Sequence, residues 1–236
     1  MTNENNEFEA DGRNARIETV TENLGRAFDS RRGFLKKGAA ASAAGLGLSA
    51  GAGSAAASGD SGQKYVDTLN YALTLERLEA TFYSRGLGEF SEDDLVESDL
   101  IDDFGEPVQS TLYEQFEAIE SHEEAHVDAL VSAVEKLGGD PVSEDEVAFT
   151  FDLSSPETFI KTAQTLETTG VSAYDGAIDL LSGSDELLTA AATIATVEGR
   201  HSAYLNGLTG KSPFPDAFDE PLPPEKVLDM IQPFLE

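Results

Sequence analysis

Two of the three histidines in this chain follow a glutamate by three positions, in Glu123-Glu-Ala-His126 and Glu198-Gly-Arg-His201. Carboxylate oxygen and imidazole nitrogen are donors for divalent first-row metals. On a helix, positions i and i+3 share a face, so each pair offers both donor types to one point in space. Two such pairs on two helices, with one glutamate from each of two others, are the established ligand set of a carboxylate-bridged two-metal site inside a four-helix bundle. The question is whether the chain supplies the two remaining glutamates.

Glu167 is the only acid between Thr158 and Tyr174, and Glu198 is the only acid between Leu187 and Pro215. Acid-poor stretches in an acid-rich chain read as buried, and a lone carboxylate inside one is costly unless paired or bound to a metal. The fourth carboxylate is Glu76 or Glu79. Glu167 precedes Tyr174 by seven positions, and Glu76 precedes Tyr83 by seven, two turns along one face. Glu-x6-Tyr on the first and third helices and Glu-x-x-His on the second and fourth make a weak internal repeat of two helix pairs. Glu79 lies one turn from Glu76 and is the reserve ligand or an outer hydrogen bonder.

Each assignment has a plainer rival. Glu123 sits among Glu120 and Glu124, so a solvated acidic face competes there. His122, one turn before His126, suits a flanking or outer position and is a second reserve ligand. Tyr83 and Tyr174 also fit core aromatics with hydrogen-bonded hydroxyls.

The spacing predicts four long helices to carry these groups. The first runs from about residue 65 to 85, with Leu69, Ala72, Leu75, Leu78 and Phe82 at helical spacing and Gly86-Leu-Gly88 as its stop. An acidic stretch over 91–106 has room for a short surface helix. The second helix runs from about Pro107 to Leu137, with Gly138-Gly139 after it. Residues 140–155, including the extended-looking Val147-Ala-Phe-Thr-Phe151, suit a crossover. The third helix opens at Ser155-Pro156 and runs to about Leu181, where Ser182-Gly-Ser-Asp185 makes a tight turn. The fourth runs to about Leu208, and a proline-rich tail holds a short helix near 225–234. Short, long and short connections around four helices predict an all-α four-helix bundle with a long crossover between helices 2 and 3.

Cysteine is absent, so disulfides, thiolate metal sites, iron–sulfur clusters and thiol nucleophiles are excluded. The formal net charge is -30, and the excess lies beyond residue 58. Residues 1–58 carry 7 acidic and 7 basic residues, whereas the other 178 carry 38 acidic and 8 basic. Such a surface repels nucleic acid and anionic lipid and suits high salt, where screening removes most self-repulsion. Ser30-Arg31-Arg32-Gly33-Phe34-Leu35-Lys36 precedes an uncharged Ala/Gly-rich run ending near Ser58. The segment resembles a twin-arginine export signal, matching Ser-Arg-Arg-x-Phe-Leu-Lys at every defined position. The resemblance implies recognition by that export machinery, export in the folded state and an extracellular or cell-surface location. The run is too rich in Ala and Gly for a convincing membrane span, and cleavage is expected near Ala55 to Ala57. The chain thus divides into an N-terminal extension with leader over 1–58 and a helical domain over 59–236.

Four segments carry a further resemblance: Leu69 to Tyr83, Glu123 to Leu130, Leu166 to Tyr174 and Val197 to Leu205. Together they resemble the ferritin-like superfamily, in particular exported ferritin-like domain proteins of haloarchaeal type that include desiccation-related members. By position, the resemblance implies that Glu123 and Glu198 bridge two metal ions, that His126 and His201 each bind one, and that Glu76 and Glu167 are terminal ligands. It also implies iron, with manganese as the alternative. Tyr83 and Tyr174 would be outer hydrogen bonders or electron donors. The expected activity is a di-iron oxidoreductase acting on Fe(II), dioxygen or peroxide. Its rivals are a dimanganese catalase-like enzyme and a non-catalytic stress or desiccation protein with a structural or vestigial metal site. Oligomeric state is left open, with a homo-oligomer among the options.

Overall fold

The fold is given by a computed structural model that describes residues 59–236. The paired arginines and the Ala/Gly run lie outside the described residues. Four long helices dominate: α1 (Gly59–Glu89), α4 (Leu112–Lys136), α5 (Pro156–Ala177) and α6 (Asp185–Leu208). Two short helices, α2 (Glu92–Val96) and α3 (Glu106–Gln109), lie between α1 and α4, and α7 (Pro224–Ile231) closes the chain. The close partners among the long helices are α1 with α4, α5 with α6, and α1 with α5. No helix among the described residues is long and apolar enough to cross a membrane.

Two expectations change. Helix α1 does not stop at Gly86 but continues to Glu89. Gly86 is there for space, because a Cβ on it would fall 2.0 Å from the Phe159 ring. That ring packs against Phe82 and Phe116 with centroids 5.1 and 5.2 Å away. The second predicted helix is also broken. Pro107 starts the one-turn α3, and the long helix begins only at Leu112. The acidic stretch before it contributes to the core after all, through Leu95 and Ile101, both fully buried.

The other boundaries follow local chemistry. Pro156 sits in the first turn of α5, and Ser155 Oγ accepts from the Thr158 N–H at 3.2 Å. Ser184 Oγ accepts from Leu187 N–H at the start of α6. Polar residues of α1 bind the crossover. Asn70 Oδ1 accepts from Val142 N–H at 2.9 Å, Arg77 donates to the Val142 carbonyl at 3.0 Å, and Arg85 donates to the Phe149 carbonyl at 2.7 Å. The extended stretch around Phe149 forms an antiparallel bridge with Leu235, so the C-terminus clamps the crossover.

A polar ladder sets the register of α5 on α6. Lys211 donates to Gln164 at 2.6 Å, Gln164 donates to Asn206 at 2.9 Å, and the Thr168 and Ser202 hydroxyls meet at 3.1 Å. Thr168 and Ser202 adjoin Glu167 and His201 in sequence, so this register also aligns the two acid-bearing turns.

Candidate metal centre

Glu76, Glu123, Glu167 and Glu198 are all fully buried, one from each long helix. His126 and His201 are buried beside them. The structure brings all six predicted residues into two groups of four. Glu76, Glu123, His126 and Glu198 form one, and Glu123, Glu167, Glu198 and His201 the other, with donor atoms within 4.8 Å of each other in each group. Glu123 and Glu198 belong to both. Glu123, whose acid-rich neighbourhood suggested a solvated face, is 0% exposed because α4 turns it toward α1 while Glu124 faces out.

His126 Nδ1 lies 3.0 Å from Glu76 Oε2, 3.1 Å from Glu123 Oε2 and 3.3 Å from Glu198 Oε1. His201 Nδ1 lies 3.0 Å from Glu123 Oε1 and 3.2 Å from Glu167 Oε2. The two oxygens of Glu123 therefore face different imidazoles. A ring nitrogen has one hydrogen or one lone pair, so it cannot serve three carboxylates by hydrogen bonding. Donor atoms about 2.1 Å from a shared ion and at right angles stand about 3.0 Å apart. The cluster has the spacing of co-ligands.

The buried acceptors agree. Glu123 Oε1 and both oxygens of Glu198 accept no hydrogen bond. Orphaned carboxylate oxygens are rare in a folded interior and call for an explanation such as an ion. The donor set of carboxylates and imidazoles, with no sulfur, suits hard or borderline divalent metals. The residues present fit a metal ion.

The electrostatics follow from the same burial. Burial, then mutual repulsion, pushes Glu123, Glu198 and Glu79 well above the usual carboxylate range. Glu167 is pushed up to about 8, chiefly by burial, against the hydrogen bond from Tyr83. Burial opposes protonation of His126, but the surrounding carboxylates of Glu123, Glu198 and Glu76 outweigh it and push the imidazole up to about 12. His201 moves down instead, mainly by burial, since it meets fewer carboxylates. Without an ion the cluster must therefore hold protons, and a bound ion would displace them.

Each tyrosine serves the other helix pair. Tyr83 of α1 donates to Glu167 Oε1 of α5 at 2.6 Å, and Tyr174 of α5 donates to Glu76 Oε1 of α1. Burial raises both phenols well above their ordinary range, so they stay protonated donors. The reserve residues sit outside both groups. Glu79 is buried near Glu198, and its Oε1 would stand 3.2 Å from a Cβ on Gly170. His122 is exposed, and its Nδ1 lies 3.0 Å from His201 Nε2, the ring nitrogen turned away from the cluster. The two rings are nearly coplanar, 8° apart, with centroids 5.2 Å apart. That separation fits an edge-to-edge hydrogen bond, which orients His201 as outer partners of metal-bound histidines do.

Gly170 had no assigned role in the sequence reading. A Cβ there would fall 2.8 Å from Glu198 Oε2, so any side chain at this position would push the carboxylate aside. The signal was a glycine inside a helical run, which costs about 1 kcal/mol relative to alanine and so needs a reason.

A bundle of four long helices that buries carboxylates and imidazoles in one cluster defines a class of helical proteins able to bind metal ions. Residues 64–211 match the ferritin-like domain family, and the chain belongs to it. Among curated proteins none matches the chain.

Proposed function

We propose that this protein binds two divalent ions, iron in preference to manganese, and works as a di-iron oxidoreductase on Fe(II), dioxygen or peroxide. The observation that carries the reading is His126 Nδ1 at 3.0 to 3.3 Å from carboxylates of three different helices, beside oxygens of Glu123 and Glu198 that accept no hydrogen bond. Glu123 and Glu198 would be shared by both ions, with Glu76 and His126 on one side and Glu167 and His201 on the other. Four carboxylates balance the charge of two divalent cations. Two adjacent redox-active ions supply the electrons for reducing dioxygen or peroxide.

The chain's own residues do the rest. Tyr174 and Tyr83 hold Glu76 and Glu167 in one orientation through their hydroxyl hydrogens. His122 Nδ1 stands 3.0 Å from His201 Nε2, and with the hydrogen on Nε2 donated to His122 the Nδ1 lone pair of His201 would face the cluster. Phe116 and Phe159 pack beside the ring of Tyr83, with centroids 6.2 Å away, and Tyr83 is fully buried.

The test is elemental analysis of the full chain after loading with Fe(II) or Mn(II) at high salt, then a spectrum taken anaerobically and again after air. The expected result is two ions per chain and an absorption change on admitting air. No bound metal would overturn the reading, and oxygen release from peroxide with manganese bound would move it to the catalase-like alternative. The Arg31-Arg32 motif and the acidic excess support export by the twin-arginine route into a salty exterior. Replacing both arginines by lysine should then leave the chain inside the cell, and undiminished export would refute that route.

A further inference from the structure

We propose that an apolar cavity beside Tyr174 is a binding site for dioxygen on its way to the Glu/His cluster. This rests on the oxidant-reducing reading above. The cavity measures about 50 Å³ and lies among α1, α4, α5 and α6, with Leu75, Ala133, Tyr174, Ala177, Leu187 and Ala191 in its wall. Tyr174 connects it to the cluster, because the same residue lines the cavity and donates to Glu76. Leu75, the sequence neighbour of Glu76, lines it too.

Its chemistry selects the guest. Thr68, Tyr71 and Tyr174 bring the only hydroxyls among the lining residues. Thr68 is committed to the Lys64 carbonyl and Tyr174 to Glu76, so Tyr71 is the one other hydroxyl that a water could meet. A buried water wants two to four polar partners, so water is poorly held here. Hydrogen peroxide, with two hydroxyl groups, is disfavoured for the same reason. A guest held wholly inside must be smaller than benzene, which an engineered apolar cavity of roughly 150 Å³ takes. A diatomic apolar gas fits both limits, so the cavity favours dioxygen over peroxide as the oxidant.

The route to it is also built from small residues. Ala129 on α4 and Ala190 on α6 line the cavity and are exposed, so it reaches the surface between these two helices. Helices α4 and α6 are not among the closely packed pairs.

Xenon is the probe, titrated under pressure into the full-length, metal-free chain with labelled alanine, leucine and isoleucine methyls. Saturable shifts are expected at Leu75, Ala133, Ala177, Leu187 and Ala191. They should vanish in Ala177→Leu, which fills the cavity, and weaken in Ala190→Phe, which narrows the exposed mouth without touching the core. In the Fe(II)-loaded chain, Ala190→Phe should raise the dioxygen concentration for half-maximal uptake about tenfold, the lower end of what one misfitting methylene costs in an apolar pocket. Absent or scattered xenon shifts would overturn the site, and an unchanged dioxygen dependence in both variants would overturn the route. A chain that binds xenon here but takes up no metal would instead refute the function proposed above, so the two failures are distinguishable.

Discussion

Glu198→Gln should have opposite effects on the metal-free and the metal-loaded protein. Glu198 is fully buried, and both its oxygens accept no hydrogen bond. Burial first, then Glu167 and Glu76, pushes its carboxyl well above the ordinary 4.5. Keeping a buried carboxyl protonated at pH 7 costs at most about 3 kcal/mol. Glutamine keeps the shape and removes that cost, but its buried amide leaves a penalty of about 1 kcal/mol. The net is a stabilisation of up to about 2 kcal/mol for the metal-free chain. For a domain of this size that raises Tm by up to about 4 to 8 °C. The same substitution removes a donor from both four-residue groups, so metal content should fall from two ions per chain to below one. Thermal unfolding by circular dichroism in excess chelator and elemental analysis after Fe(II) loading measure the two halves. A lowered Tm in chelator would mean that the carboxylate is a structural partner, and full metal content would mean that it is no ligand; either result refutes the reasoning.

Gly170→Ala should damage the site without replacing any donor, since the new methyl falls 2.8 Å from Glu198 Oε2 and 3.2 Å from Glu79 Oε1. Isothermal titration with Mn(II) should show affinity at least about tenfold weaker, the scale seen when outer support of a ligand is lost, with helix content unchanged; wild-type affinity would mean that Glu198 has room to move. The metal-free chain should lose stability as pH rises. Glu167 is raised to about 8, so the stability it contributes is complete below its ordinary 4.5 and is lost as pH climbs through about 8. Glu79, Glu123 and Glu198 carry the same sign, and so does His126, while His201, lowered chiefly by burial, opposes them. Melting in chelator at high salt, where surface repulsion is screened, should give a Tm that falls between about pH 5 and pH 9. A Tm flat across that range would contradict a buried, ion-free carboxylate cluster.

Helical spacing made most of the bundle legible, because apolar periodicity and the Ser-Pro and Ser-Gly-Ser-Asp boundaries are local signals. The errors fell where a local signal had a distant cause. Gly86 looks like a helix stop, yet it is spent on a close approach to Phe159. Pro107 looks like the first turn of a long helix, yet its helix lasts one turn. The extended stretch around Phe149 was visible, but its partner, Leu235, lies at the far end of the chain.

The candidate site divides along the same line. By itself the sequence determined which residues share a helix face: Glu123 with His126, Glu198 with His201, Glu76 with Tyr83, and Glu167 with Tyr174. Helix geometry fixes such pairs within two turns, whatever surrounds them. Only the tertiary structure decided which groups meet across helices. It set Glu76 rather than Glu79 beside His126, buried Glu123 amid surface acids, and crossed the tyrosines so that each holds the other pair's carboxylate. It also turned His122 outward against His201 and opened the apolar cavity behind Tyr174. The physical reason is that burial and contact between helices depend on register and rotation, which many distant packing contacts determine together and no local spacing encodes.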